Sequence, residues 1–99
     1  MAMNAAAGMI TQATGALMAV QCGFIPHYVR VVNTAKVIEL EWTTDMGEDH
    51  GYKASGLIHT GGITTNGAEE SSTQSAGFNI GADAELNVLG DPLYWVAFG

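Results

Sequence analysis

The residues best suited to chemistry in this chain lie in a short acidic segment at positions 45–50. It contains Asp45, Glu48, Asp49 and His50, and a further histidine, His59, follows it. Carboxylates on a loop can bind Ca²⁺, which takes about six to eight oxygen ligands. The segment has neither the EF-hand pattern nor the HExxH zinc motif. We therefore interpret it as an exposed acidic loop, with a metal site shared between chains as the alternative.

The candidate nucleophiles form no recognisable catalytic pattern. A Ser-His-Asp triad needs an activated serine, but the serines stand in loop-like sequence without a G-x-S-x-G elbow (Ser55, Ser71, Ser72 and Ser75). Cys22 is the only cysteine, which excludes an intrachain disulfide, and no nearby base would activate its thiol. The glycines form no G-x-G-x-x-G dinucleotide motif. We predict that the protein is not an enzyme and uses no cofactor.

The charge of the chain restricts its partners. The net charge is −7, and Arg30, Lys36 and Lys53 are the only fixed cations. Because a nucleic-acid binder neutralises phosphates with several Lys or Arg groups, we expect no nucleic-acid partner. The same deficit argues against an anionic membrane, and no apolar run approaches the roughly 20 residues that cross a bilayer. The start of the chain lacks the basic residues of a signal peptide, so we expect use in the cytoplasm or within a larger assembly.

The composition suggests that part of the surface is buried against other chains. Hydrophobic residues make up 47% of the chain and charged residues only 13%, whereas about 25% charged is typical. A domain of this size buries only about 60–65% of its surface in its own core. Apolar surface is therefore expected to contact other subunits. The alternative is a monomer with a neutral surface of Ser, Thr, Asn and Gly.

Short strand signals separated by turn residues run along most of the chain. Residues 28–32 and 36–43, joined by a polar turn at 33–35, predict the clearest hairpin, and Ile38, Leu40 and Trp42 share one face of it. Further strands are predicted at 14–21, 52–60, 76–80, 85–88 and 93–98. Turns are predicted at 61–62 and 90–92, and a polar loop or short edge strand at 63–75. This spacing predicts an all-β fold, a single small jelly-roll-like β-sandwich of short antiparallel strands.

The first twelve residues are interpreted as an N-terminal arm (1–12) that precedes the β-sandwich domain (13–99). The arm has no charged side chain but contains Met3, Met9 and Ile10. Ordering such a segment costs about 1–2 kcal/mol per residue, and flexible Met side chains adapt to irregular surfaces. We expect the arm to be disordered in the free subunit and ordered by a neighbouring chain, with Met3, Met9 and Ile10 as assembly contacts.

Two segments resemble signatures of small bacteriophage virion proteins. GFIPHYVRVVN (23–33) is similar to GFxPxxVxxxN, and GFNIGADAELNVLGDPLYWVAF (77–98) is similar to GFxxGxxxxxNxxGxxxYWxAF; EWTTDM lies between them. The resemblance leaves out the arm and residues 61–76. It implies a β-sandwich of the capsid decoration, head-fibre or tail type, with no catalytic residues. The interior of the sandwich would then contain Phe24, Val29, Val31, Phe78, Ile80, Leu86, Leu93 and Trp95.

The leading hypothesis is therefore a capsid decoration or cement protein on the outer head surface of a phage virion, assembled in the host cytoplasm. Its expected partners are the major capsid protein and further copies of itself, as a homotrimer. The alternative is a tail or fibre binding module that recognises a carbohydrate or a receptor. A sugar site would need an exposed aromatic ring, either Trp42 or Tyr94, or Tyr52 together with Asp45 and Asp49.

Overall fold

A computed structural model describes residues 4–66 and 76–99. In these residues, eight strands form one antiparallel sheet in the order β1-β8-β3-β4-β5-β6-β7-β2. The strands are β1 (Ala5–Ile10), β2 (Met18–Gln21), β3 (Tyr28–Asn33), β4 (Ile38–Thr43), β5 (His50–Lys53), β6 (Gly56–Asn66), β7 (Gly77–Ile80) and β8 (Leu93–Phe98). The sheet curls around a single core. The all-β prediction is confirmed, and the antiparallel strands belong to one curled sheet.

The predicted hairpin forms as β3 and β4. Its register pairs Tyr28 with Thr43 at one end and Asn33 with Ile38 at the turn. Since successive side chains of a strand point to opposite faces, Leu40 and Trp42 are buried while the glutamates between them are exposed.

The interior follows the same alternation. Two of the predicted interior residues, Phe24 and Trp95, are half-buried and pack against the core. The other six are fully buried: Val29, Val31, Phe78, Ile80, Leu86 and Leu93. The rings of Phe78 and Trp95 meet edge to face, with centroids 5.4 Å apart. β3 lies in segment 23–33 and β8 in segment 77–98, and the two strands pair along their full length. The two segments therefore form one packed unit.

Five predicted boundaries were wrong for local reasons. The hairpin turn predicted at 33–35 lies at 34–37, and β4 begins at Ile38 instead of Lys36, because the Asn33 side chain accepts the Lys36 backbone N–H and holds Lys36 in the turn. The first strand predicted at 14–21 begins only at Met18. The strand predicted at 52–60 divides into β5 and β6, because the chain turns at residues 54–55. The predicted turn at 61–62 lies inside β6, where the register with β5 shifts and residues 59–62 bulge out of the ladder. Residues 85–88 form turns instead of a strand, because the Asp83 carboxylate accepts the backbone N–H groups of Glu85 and Leu86.

The polar segment predicted at 63–75 is described only in part. Residues 63–66 belong to β6, where Ile63 is fully buried and pairs with Ile80 of β7. Residues 67–75 lie outside the described residues.

The predicted arm contains the edge strand β1. Ala5–Ile10 pairs antiparallel with β8 of the same chain, from Ala5 opposite Phe98 to Ile10 opposite Leu93. Gly8 permits the close approach, because a Cβ at this position would lie 2.7 Å from the Trp95 ring. From its sequence, this segment was expected to be ordered by a neighbouring chain. In the structure, β8 supplies the backbone partner, and the boundary between arm and domain stays a prediction.

Candidate interaction surfaces

Two carboxylates of the acidic segment form hydrogen bonds with residues of β6 in the same chain. The Asp49 carboxylate accepts the backbone N–H of Gly61 at 3.1 Å, and the Glu48 carboxylate accepts both the N–H and the hydroxyl of Thr65. The rings of His50 and His59 stand edge to face with centroids 5.1 Å apart. In the part of the chain that the structure describes, no three His, Cys, Asp or Glu side chains lie together as a metal-binding group. The carboxylates of Glu48 and Asp49 thus fasten the loop to β6.

The aromatic residues considered for sugar binding have different environments. Trp42 is buried, and its indole N–H donates to the Gly47 carbonyl at 2.8 Å. Its ring is therefore unavailable for stacking on a ligand. Tyr52 and Tyr94 are exposed by 54% and 43%, respectively, so either ring could contact a partner.

Tyr52 lines an open groove between β4 and the β5–β6 turn. The groove has a volume of about 740 Å³ and is also lined by Val37, Glu39, Glu41 and Ser55. Neither Asp45 nor Asp49 is among its lining residues. The grouping of Tyr52 with those two aspartates was therefore wrong, because Tyr52 lies opposite Glu41 in the sheet. The groove nevertheless combines an aromatic ring with carboxylates.

A second surface is the outer side of β1, β8 and β3. Cross-strand register places its outward side chains in rows: Met9 beside Tyr94 and Val32, Ala7 beside Val96 and Arg30, and Ala5 beside Phe98 and Tyr28. We call the apolar residues of these strands the apolar face (Ala5, Ala7, Met9, Val32, Tyr94, Val96 and Phe98). Met9, Tyr94 and Phe98 are exposed by 52%, 43% and 38%. The apolar face is thus a contiguous surface, and Arg30 is the one charged side chain that β3 places among its rows.

The charged border of the apolar face lies on β3 and β4. Arg30 forms an ion pair with Glu39, and the Tyr28 hydroxyl donates to Glu41 at 3.4 Å. The glutamates lie between Tyr52 and most of the apolar face, and Val32 belongs to the apolar face and also lines the groove. The apolar face was not predicted from sequence, because β8 is apolar at every position and its pattern does not distinguish an outward face from a buried one.

The three residues predicted as assembly contacts have different positions. Met9 points outward on the apolar face, whereas Ile10 is half-buried and packs against the core of its own chain. Met3 lies outside the described residues. Their role in assembly stays a prediction, and Met9 is the residue whose exposure suits that role.

The free edge of β1 is the third feature. Asn4 and Gly99 exchange both of their backbone hydrogen bonds, each with an N···O distance of 2.9 Å. Because such pairs alternate along an antiparallel ladder, the N–H and C=O groups of Ala5, Ala7 and Met9 point away from β8. Within residues 4–66 and 76–99, β8 is the only strand that pairs with β1.

Two buried asparagines, Asn33 and Asn87, form hydrogen bonds to loop carbonyls. Asn33 is fully buried, and its amide donates to the Leu86 carbonyl at 2.8 Å. Asn87 is 3% exposed, and its amide donates to the carbonyls of Ala16 and Gly81 at 2.7 and 2.9 Å. Both residues link loops that meet at one end of the sheet.

The buried ammonium of Lys53 on β5 binds two carboxylates in the loop between β7 and β8. The Lys53 ammonium is 5% exposed and binds the Asp83 carboxylate at 2.9 Å and Glu85 at 2.5 Å. Burial favours the neutral amine, but the hydrogen bonds to Glu85 and Asp83 outweigh it, so the pKa of Lys53 lies above its ordinary value of 10.5. The cluster is a structural ion pair.

The chain was compared with family models, curated proteins and solved structures, and none of them matches it. Over the described ranges, no helix has the length and apolarity that would let it span a membrane. The function must therefore be inferred from the residues and surfaces described above.

Proposed function

We propose that this chain is a structural protein of a bacteriophage virion, which decorates the outer head surface and stabilises the shell through protein–protein contacts. The observation that carries the proposal is the apolar face, which is exposed and contiguous across three paired strands. The sequence resemblance of residues 23–33 and 77–98 to phage virion proteins supports the same class. In this proposal the partners are the major capsid protein and other copies of the chain.

The physical chemistry of the apolar face fits a permanent contact. Contiguous exposed apolar patches of this kind mark interaction sites. Stable interfaces bury about 1,200–2,000 Å² in total, and their centres are depleted of charge. The net charge of −7 opposes direct contact with packaged DNA, which suits a position on the outside of the shell.

The copy number in purified particles tests the proposal. Mass spectrometry of virions of the phage that encodes the chain should find it in hundreds of copies per particle. If each particle contained only a handful of copies, the chain would be a tail or fibre protein instead of a head protein. Absence from the particle would refute both assignments.

Two exposed tyrosines provide a matched pair of variants for locating the contact. Tyr94 lies on the apolar face and Tyr52 in the groove, and both are strand residues with similar exposure. Tyr94→Ser should weaken binding of the purified protein to undecorated heads at least tenfold, whereas Tyr52→Ser should bind like the wild type. Equal binding of both variants would show that the apolar face is not the contact.

The alternative function is a binding module that recognises a carbohydrate through the groove. The observation that favours it is the exposed ring of Tyr52 beside the Glu39 and Glu41 carboxylates, because aromatic rings and hydrogen-bonding groups together bind sugar rings. On a glycan array, the wild type would then bind a defined glycan, and Tyr52→Ser would lose that binding while Tyr94→Ser kept it. A blank array would exclude this alternative for the glycans tested.

A further inference from the structure

The unpaired edge of β1 has an unusual composition for an exposed strand edge. Proteins protect such edges with Lys, Pro, bulges or very short strands, because free N–H and C=O groups form a template for another strand. β1 has six residues, Ala5–Ile10, pairs with β8 without a register shift, and contains no charged residue and no proline. Among residues 4–66 and 76–99 no strand pairs with the outward N–H and C=O groups of Ala5, Ala7 and Met9, so these groups are open to a strand of another copy.

The edge is complementary to itself. If a second β1 lies antiparallel beside the first, with a two-fold axis at Ala7, then Ala7 faces Ala7 and Ala5 faces Met9 of the other copy. The residues with outward backbone groups then face one another, so each can form the hydrogen-bonded type of antiparallel pair. No charged side chain lies on β1 to oppose this approach.

The side chains on the apolar face fit the same register. Next to the edge, Ala5 neighbours Phe98 of its own chain, and Met9 neighbours Tyr94. In the paired arrangement, the long Met9 side chain of one copy lies beside the small Ala5 of the other and within reach of Phe98, since strands are about 4.8 Å apart. The apolar faces of the two copies would form one continuous surface of twice the width.

We propose that two copies of this chain associate through their β1 edges, antiparallel and with the two-fold axis at Ala7, to form one continuous sheet. This inference deepens the self-association in the proposed function and rests on it only for its biological setting. A two-fold contact closes at two copies, so any trimer would have to use another surface. Because the contact is one short strand, it is weak in dilute solution and gains strength where a surface holds the copies close together.

Cysteine cross-linking tests the register, in a Cys22→Ala background that removes the only native thiol. Disulfides form where Cα atoms lie within about 7 Å. Ala7→Cys should form a disulfide dimer by itself. Ala5→Cys and Met9→Cys should each stay monomeric alone but should cross-link when mixed, because the two Ala5 positions are about 14 Å apart at 3.4 Å per residue. Cross-linking of Ala5→Cys alone, or none in any sample, would overturn the proposal.

A proline variant tests the backbone hydrogen bonds. Ala7→Pro removes an N–H that points away from β8, so the pairing of β1 with β8 should persist. Sedimentation from about 10 μM to about 1 mM, the range of weak associations, should show a concentration-dependent dimer for the wild type and for the control Ala7→Thr. It should show at least a tenfold weaker dimer for Ala7→Pro. If Ala7→Pro unfolds, Ala7→Lys replaces it, since lysine blocks strand edges without altering the backbone.

The outcomes separate this inference from the proposed function. A wild type that stays monomeric over the whole range, or a trimer that Ala7→Pro leaves unchanged, would overturn the edge contact even if the protein bound phage heads. A dimer with the predicted cross-links that failed to bind heads would support the edge contact and contradict the decoration function.

Discussion

Asn87 offers the sharpest test of how this small domain holds its loops. Its amide donates to the carbonyls of Ala16 and Gly81, and its carbonyl accepts the backbone N–H of Gly15 at 3.0 Å. One side chain thus joins the link between β1 and β2 to the loops before β8. Asn87→Ala removes all three bonds: the Gly81 carbonyl and the Gly15 N–H lose the Asn87 partner, whereas the Ala16 carbonyl keeps the Thr14 hydroxyl as a donor.

The expected cost follows from the bonds. A hydrogen bond contributes about 1 kcal/mol net, and an abandoned buried group costs about 1–3 kcal/mol. The Gly81 bond is buried and the others are part-buried, so we expect Asn87→Ala to destabilise the protein by about 3 kcal/mol. At about 4–8 °C per kcal/mol for a domain of this size, Tm should fall by about 12–24 °C.

Urea denaturation followed by tryptophan fluorescence measures this change, because Trp42 is buried and Trp95 half-buried. Asn4→Ala is the control, since the Asn4 side chain is exposed and its substitution should change stability by less than about 0.5 kcal/mol. A similarly small effect for Asn87→Ala would refute the assignment of the amide as the link between the loops.

Three further substitutions have clear expected outcomes. Gly62→Ala should prevent folding or lower the yield of folded protein severely, because its Cβ would lie 1.9 Å from the His50 carbonyl oxygen; circular dichroism would show this. The raised pKa of Lys53 means that its stabilisation is complete below pH 10.5 and is lost as the pH rises through the higher pKa of the folded state. Urea midpoints on either side of pH 10.5 should therefore fall more for the wild type than for Lys53→Met, and equal falls would contradict this. Trp42→Phe should cost about 1–3 kcal/mol in urea unfolding, since it leaves the Gly47 carbonyl without its indole donor.

The hairpin and the interior were predictable because local pattern decides them. Val29 and Val31 alternate with outward residues in β3, and Leu40 and Trp42 do the same in β4. A pattern of period two buries the same side chains whichever strand becomes the neighbour. The turn between the two strands is short, and the Asn33 side-chain oxygen accepts the Lys36 backbone N–H across it, so the register is set locally.

β1 was not predictable by the same reasoning. Ala and Gly, which form much of it, are depleted in strands. Its pairing depends on β8, which lies at the opposite end of the sequence, and on the fit of Gly8 to Trp95. Only the folded chain brings these residues together.

The two faces of β8 also could not be separated from sequence. Leu93–Phe98 is apolar at both sets of alternate positions, so the pattern does not say which set faces water. The same limit applies to the groove, because the side of the sheet on which Tyr52 lies depends on its register with Glu41. Surfaces for partners are thus the part of this molecule that required coordinates.

The position of β8 between β1 and β3 has a consequence for biosynthesis. β8 is the last of these strands to leave the ribosome, while β1 is the first, and neither β1 nor the outer edge of β3 can pair with it before then. Nascent chains on the same message would expose these edges to one another until β8 has emerged. Completion of the sheet therefore waits for β8, and the speed with which this strand inserts between β1 and β3 should decide how much of the newly made protein escapes aggregation.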